Sequence, residues 1–195
     1  THVLELSLEL KRMGYYVVVV SNGGVYEQNL KEAGIHHYKI PMHSKTPVNI
    51  AKSLRALNKV IKDEKIEIVH AHGRIPALLC GILNKFVKFT FVTTAHWVFD
   101  TSHGLKYVSN WGEKVMAVSE DIKAYLMENY HTNPADNYVS INGIDTNKFC
   151  READASSVIS EFSLSPDSKK IVYISRMDKD RAQLAFEPVD LLGDE

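Results

Sequence analysis

The sequence is poor in cysteine, in net charge and in long apolar runs, and each shortage removes a class of function. Two cysteines, Cys80 and Cys150, stand in 195 residues. That is too few for a disulfide framework and points to a reducing, cytoplasmic compartment. Lys and Arg number 23 against 24 Asp and Glu, a net charge of −1. Without a basic excess nothing argues for nucleic acid, and any anion must be held by local placement. The longest apolar runs, residues 17–20 and 77–83, fall far short of the ~20 residues that span a bilayer. No signal peptide, low-complexity segment or short repeat is visible. The chain opens on Thr1 with residues that already read as helix, so we expect that something upstream has been lost.

What remains is ordinary globular composition, 45% apolar and 24% charged, in an alternating pattern. Residues 3–13 read as a helix stopped by Gly14, and residues 15–21 as a buried strand with four consecutive valines. A short helix (25–33) and a short strand (37–40) follow. Thr46-Pro47 looks like a cap followed by proline at the first helical position. Ile50, Leu54, Leu57 and Ile61 then give one apolar helix face. A strand at 66–71 and an apolar helix at 76–86 lead to the strand of residues 89–94. Leu105, Val108 and Trp111 suggest a short helix, and residues 115–118 a strand. Ser119 caps a helix through Tyr130, with Glu120 and Asp121 favourably placed in its first turn. Residues 138–141 form a strand closed by Asn142-Gly143. This alternation predicts a Rossmann-like, doubly wound parallel α/β sheet.

In such sheets ligands bind at the carboxyl ends of the strands, and polar groups gather there. His96 follows the strand of residues 89–94. His70-Ala71-His72-Gly73-Arg74 follows another. Ser119 lies at a helix N-terminus, where backbone N–H groups can meet an anion. Asn142, Gly143 and Asp145 follow the last strand. His70 and His72, two apart, share one strand face. They could be two metal ligands, but no third lies nearby in sequence. His70 reads as core-facing or strand-end packing. Trp97 and Trp111 read as core, Cys80 as an inert thiol in an apolar helix, and Asn142-Gly143 could be a plain turn.

The succession V-H-A-H-G-R, V-T-T-A-H-W, A-V-S-E-D-I-K-A-Y-L, I-N-G-I-D-T-N-K-F and I-S-R-M-D-K-D-R resembles the family-four retaining glycosyltransferases of GT-B fold. The resemblance implies an acceptor-side domain over residues 1–150, a linker over 151–168 and the start of a donor domain over 169–195. It implies retaining transfer of a sugar from a nucleotide-sugar to a sugar or lipid-linked acceptor, with no cofactor and no required metal. His96 would be the catalytic histidine that positions the donor sugar. His72, Arg74, Ser119, Asn142 and Gly143 would line the substrate cleft. Arg176 and Arg181 would bind the donor diphosphate, matching the family's Arg and, with Arg for Lys, its second cation. Cell-envelope polysaccharide synthesis and peripheral membrane association are further implications.

Two departures accompany the resemblance. The family's Gly-rich loop and first strand would precede Thr1. Its E-x7-E pair would lie beyond residue 195, and neither Glu120 with Glu128 nor Glu187 with Glu195 has the right context. The fragment is therefore expected to be inactive alone. Residues 171–175 are expected to fill the slot of the absent first strand, within the chain or in a strand-swapped dimer. Competing readings are a sugar-nucleotide epimerase of similar fold and a non-catalytic sugar- or partner-binding module.

Overall fold

The structure, a computed structural model, describes residues 2–42, 46–99, 101–102, 104–147, 150 and 154–165. By contacts the chain divides into two compact units, Thr1–Gly143 and Ile144–Glu195. In the first, β1 (Val18–Ser21) and β2 (His36–Lys39) form one parallel ladder. A second ladder runs in the order β3 (Ile68–His72), β4 (Thr90–Ala95), β5 (Lys114–Ala117) and β6 (Asn137–Val139), parallel throughout. The helices between them are α1 (His2–Arg12), α2 (Glu27–Glu32), α3 (Pro47–Asp63), α4 (Arg74–Asn84) and α5 (Glu120–Tyr130). The second unit contains α6 (Ser156–Glu161), whose residues are all exposed. No helix among the described residues is long and apolar enough to cross a membrane.

Local chemistry accounts for the element ends. Thr46 caps α3, its hydroxyl accepting from the Asn49 N–H at 3.4 Å, with Pro47 opening the helix. The expected stripe of α3 is buried at Leu57 and Ile61, with Ile50 and Leu54 packed at its margin. Helix α4 begins at Arg74, two residues before the expected start. Gly73 adopts φ +112, which lets the chain leave β3 and enter a helix at once. Pro76 is then the third helical residue, where an N–H would lack an intrahelical partner in any case. Strand β1 starts at Val18 instead of Tyr15. Tyr15 and Tyr16 are exposed, and the Tyr16 hydroxyl donates to Glu64 at 2.5 Å. The backbone at Asn142-Gly143 is irregular rather than a turn.

Strand β1 is covered on both faces, fully at Val19 and in part at Val18 and Val20. Val19 joins Leu4, Leu30 and Ile35 beneath α1 and α2. Val18 and Val20 pack against the larger core of Ile40, Leu57, Ile61, Ala71, Leu79 and Phe91. Among the described residues, β1 and β3 thus share a core without a ladder between them. Residues 169–195, including the 171–175 strand expected to pair there, lie outside the described residues. A third cluster, Ala95, Val115, Ala117 and Leu126, seats α5 on the sheet.

Gly112 turns the chain into β5 at φ +72, and a Cβ there would stand 2.5 Å from the Phe91 carbonyl oxygen. The Gly112→Ala variant should lose more than about 2 kcal/mol, from strain plus overlap with fixed backbone. Gly143, with nothing within 4 Å of the corresponding point, is the control. Urea denaturation of both variants checks this, and equal midpoints would contradict it.

Candidate functional site

The β3–β4 register sets His72 opposite Thr94. His96 lies one residue past the end of β4, so both histidines reach the same carboxyl edge of the sheet. His72 Nδ1 and His96 Nε2 are 3.0 Å apart, one donating and one accepting, and their rings stack at 5.3 Å. His70 shares the β3 face with His72, as alternation requires, and their rings lie 4.2 Å apart. Its Nε2 is hydrogen-bonded to the Thr94 hydroxyl at 2.7 Å. The fourth ring is that of His2, the first residue of α1, set edge-on to His96 at 4.7 Å and to His72 at 5.5 Å.

Burial among other imidazoles penalises protonation. Desolvation, with His2 and His96 nearby, lowers the His70 pKa to about 4. Desolvation first, then His70, His96 and His2, lowers that of His72 to about 3. His96 is also held below the ordinary histidine value, by burial and then by His2. At neutral pH His70, His72 and His96 therefore meet a ligand as uncharged donors and acceptors. They suit hydroxyl groups and lend no charge to a phosphate.

The other expected site residues take separate positions. Arg74 opens α4 with its guanidinium 4.8 Å over the Phe99 ring. A small cavity beside it is lined by Ala71, Gly73, Ala77, Phe99 and Trp111. Ser119 caps α5, its hydroxyl accepting from the Ile122 N–H at 3.3 Å. Asn142 and Gly143 are exposed past the end of β6. Arg176 and Arg181 lie outside the described residues. His70 was expected to pack apart from the cleft, yet its ring joins the cluster, because the face it shares with His72 is the histidine-bearing one. Trp97 was expected in the core and is 66% exposed, since it follows the end of β4. Trp111 does pack, stacked on Phe99 and edge-on to Tyr130. The Cys80 thiol is buried and its pKa pushed up to about 12, as an inert thiol should be. His2 went unnoticed in the sequence. It is a lone histidine far along the chain from its neighbours, and no local pattern marks it.

The neutral histidines give a pH dependence of fixed sign. In the unfolded chain His70 and His72 titrate near 6.5, and folded they stay neutral to about 4 and about 3. As pH falls below 6.5 the unfolded chain takes up protons that the folded chain refuses. Stability is complete at neutrality and falls by about 1.4 kcal/mol per pH unit per histidine on acidification. Urea midpoints at about pH 7 and pH 5 should differ in that sense, and His72→Leu should flatten the slope. A slope that survives this change intact would place the titration elsewhere.

Known proteins resemble this chain in sequence and in fold. The model of Glycosyltransferase Family 4 matches residues 1–148. No curated protein matches. Among solved structures, a glycosyltransferase from Rickettsia africae ESF-5 is 25% identical, with a TM-score of 0.80 over 97% of this chain and 52% of its own. HepE of Anabaena, solved with UDP-glucose, is 14% identical, with a TM-score of 0.61 over 81% of this chain and 45% of its own. A UDP-N-acetylglucosamine 2-epimerase from Rickettsia bellii is 15% identical, with a TM-score of 0.54 over 97% of this chain and 55% of its own. The last two likenesses speak for fold alone. The chain spans about half the length of these structures. With its parallel α/β architecture, its histidine-bearing strand ends and the family match over residues 1–148, the chain belongs to Glycosyltransferase Family 4.

Proposed function

We propose that this chain supplies the acceptor side of a retaining transferase that moves a hexosyl-type sugar from a nucleotide-sugar to a sugar or lipid-linked acceptor. The observation that carries the reading is the hydrogen-bonded pair His72–His96, at the carboxyl ends of adjacent parallel strands of a family-four domain. Neutral imidazoles there can orient sugar hydroxyls without attracting a stray anion. His96 is assigned to the donor sugar. His72 and Arg74 are assigned to the acceptor side, and Ser119, Asn142 and Gly143 to the rim. As the glycosidic bond breaks, negative charge grows on the leaving diphosphate, which neutral histidines cannot offset. That task falls to cations, here Arg176 and Arg181. The UDP-glucose held by HepE makes a UDP-hexose the first donor to try. Work on cell-envelope polysaccharide at the cytoplasmic membrane surface fits a lipid-linked acceptor.

The 195-residue chain on its own should turn over no nucleotide-sugar, because the proposal leaves most donor contacts to a further domain. Release of UDP from UDP-hexoses by this chain would refute that. With the donor domain present, His96→Ala should lower kcat/KM by about tenfold or more while thermal stability changes little. A large fall in Tm with activity per folded molecule kept would make His96 structural. Product analysis separates the epimerase reading, since an epimerase converts the nucleotide-sugar with no acceptor added. Retention is checked by the anomeric configuration of the product.

A further inference from the structure

We propose that His2, His72 and His96 form a site for a divalent first-row transition ion, with Zn2+ the best fit. One ring nitrogen from each residue, all within 4.8 Å of one another, supplies the donor set. A tetrahedral zinc with Zn–N bonds of about 2.0–2.1 Å holds its nitrogens roughly 3.3 Å apart. His72 Nδ1 and His96 Nε2, 3.0 Å apart, are already close to that spacing. His2 has to move in by an ångström or two, and it can, being exposed on the first residue of α1. The other two are held more firmly. His72 is half-buried in β3, with the His70 ring against it and His70 in turn tied to Thr94.

The donor chemistry selects the ion. The group contains three imidazoles and no carboxylate, which suits zinc, nickel, copper or cobalt and disfavours magnesium and calcium, whose ligands are oxygens. Three protein ligands leave a fourth position for water or an oxygen of a bound molecule. The site does not depend on transfer chemistry, so its failure and the failure of the transferase reading are separate results. An ion bound here takes the lone pair of His96, and it would therefore compete with a sugar for that residue.

The test is titration of the chelator-treated, dialysed 195-residue chain with zinc sulfate by calorimetry, and with Co2+ by visible absorption. The expected result is one saturable ion per chain and an intense tetrahedral Co2+ band. His2→Ala and His96→Gln, both at half-exposed or exposed positions that should leave folding intact by circular dichroism, should weaken binding by at least about tenfold. His131→Ala, an exposed histidine at the end of α5, should leave it unchanged. Absence of saturable binding, affinity unaltered by both cluster variants, or an equal loss in His131→Ala would overturn the proposal.

Discussion

The parallel ladder between β3 and β4 is the constraint on which the rest depends. Its register fixes His72 against Thr94, and the two residues that follow Thr94 carry the chain to His96. A slip of one residue would turn His70 and His72 to the opposite face and scatter the cluster. The register is in turn held by burial. Ala71, Phe91, Thr93 and Ala95 are almost wholly inaccessible; α4, starting from the turn that Gly73 makes, packs over Ala71 and Phe91, and α5 packs over Ala95. The polar edge thus rests on an apolar interior chosen for packing.

Much of this was legible in the residues. Four valines in a row, the Thr46-Pro47 start and the Ser119 cap each carry a local mechanism; the two caps appear where expected, and the valine strand appears but begins at Val18. The histidines at strand ends were legible because period-two alternation and strand polarity say where such side chains go. Arg74, expected to face the cleft with His72, lies over the Phe99 ring, a contact that depends on how the loop after β4 folds back. The contribution of His2 was not legible at all. It arises from the packing of Leu4 against Val19, Leu30 and Ile35, which docks α1 so that its first residue meets the strand ends. Such a contact belongs to tertiary geometry, and no window of sequence contains it.

The electrostatics of the cluster separate two tasks that one site could have combined. A charged imidazole would attract phosphate, but burial beside other imidazoles makes charging costly. A site built this way suits neutral groups held by hydrogen-bond direction, and an anion bound there would need positive charge from other residues.

The shared core of β1 and β3 has a mechanical meaning. Val18 and Val20 meet the large core through apolar contact, without hydrogen bonds to β3 among the described residues. The smaller block of α1, β1, α2 and β2 is also tied to the end of α3, where the Tyr16 and Tyr38 hydroxyls both donate to Glu64. His2 belongs to that block, while His72 and His96 belong to the four-stranded sheet. The cluster therefore bridges the seam between the two ladders, and whatever parts the seam also parts the cluster.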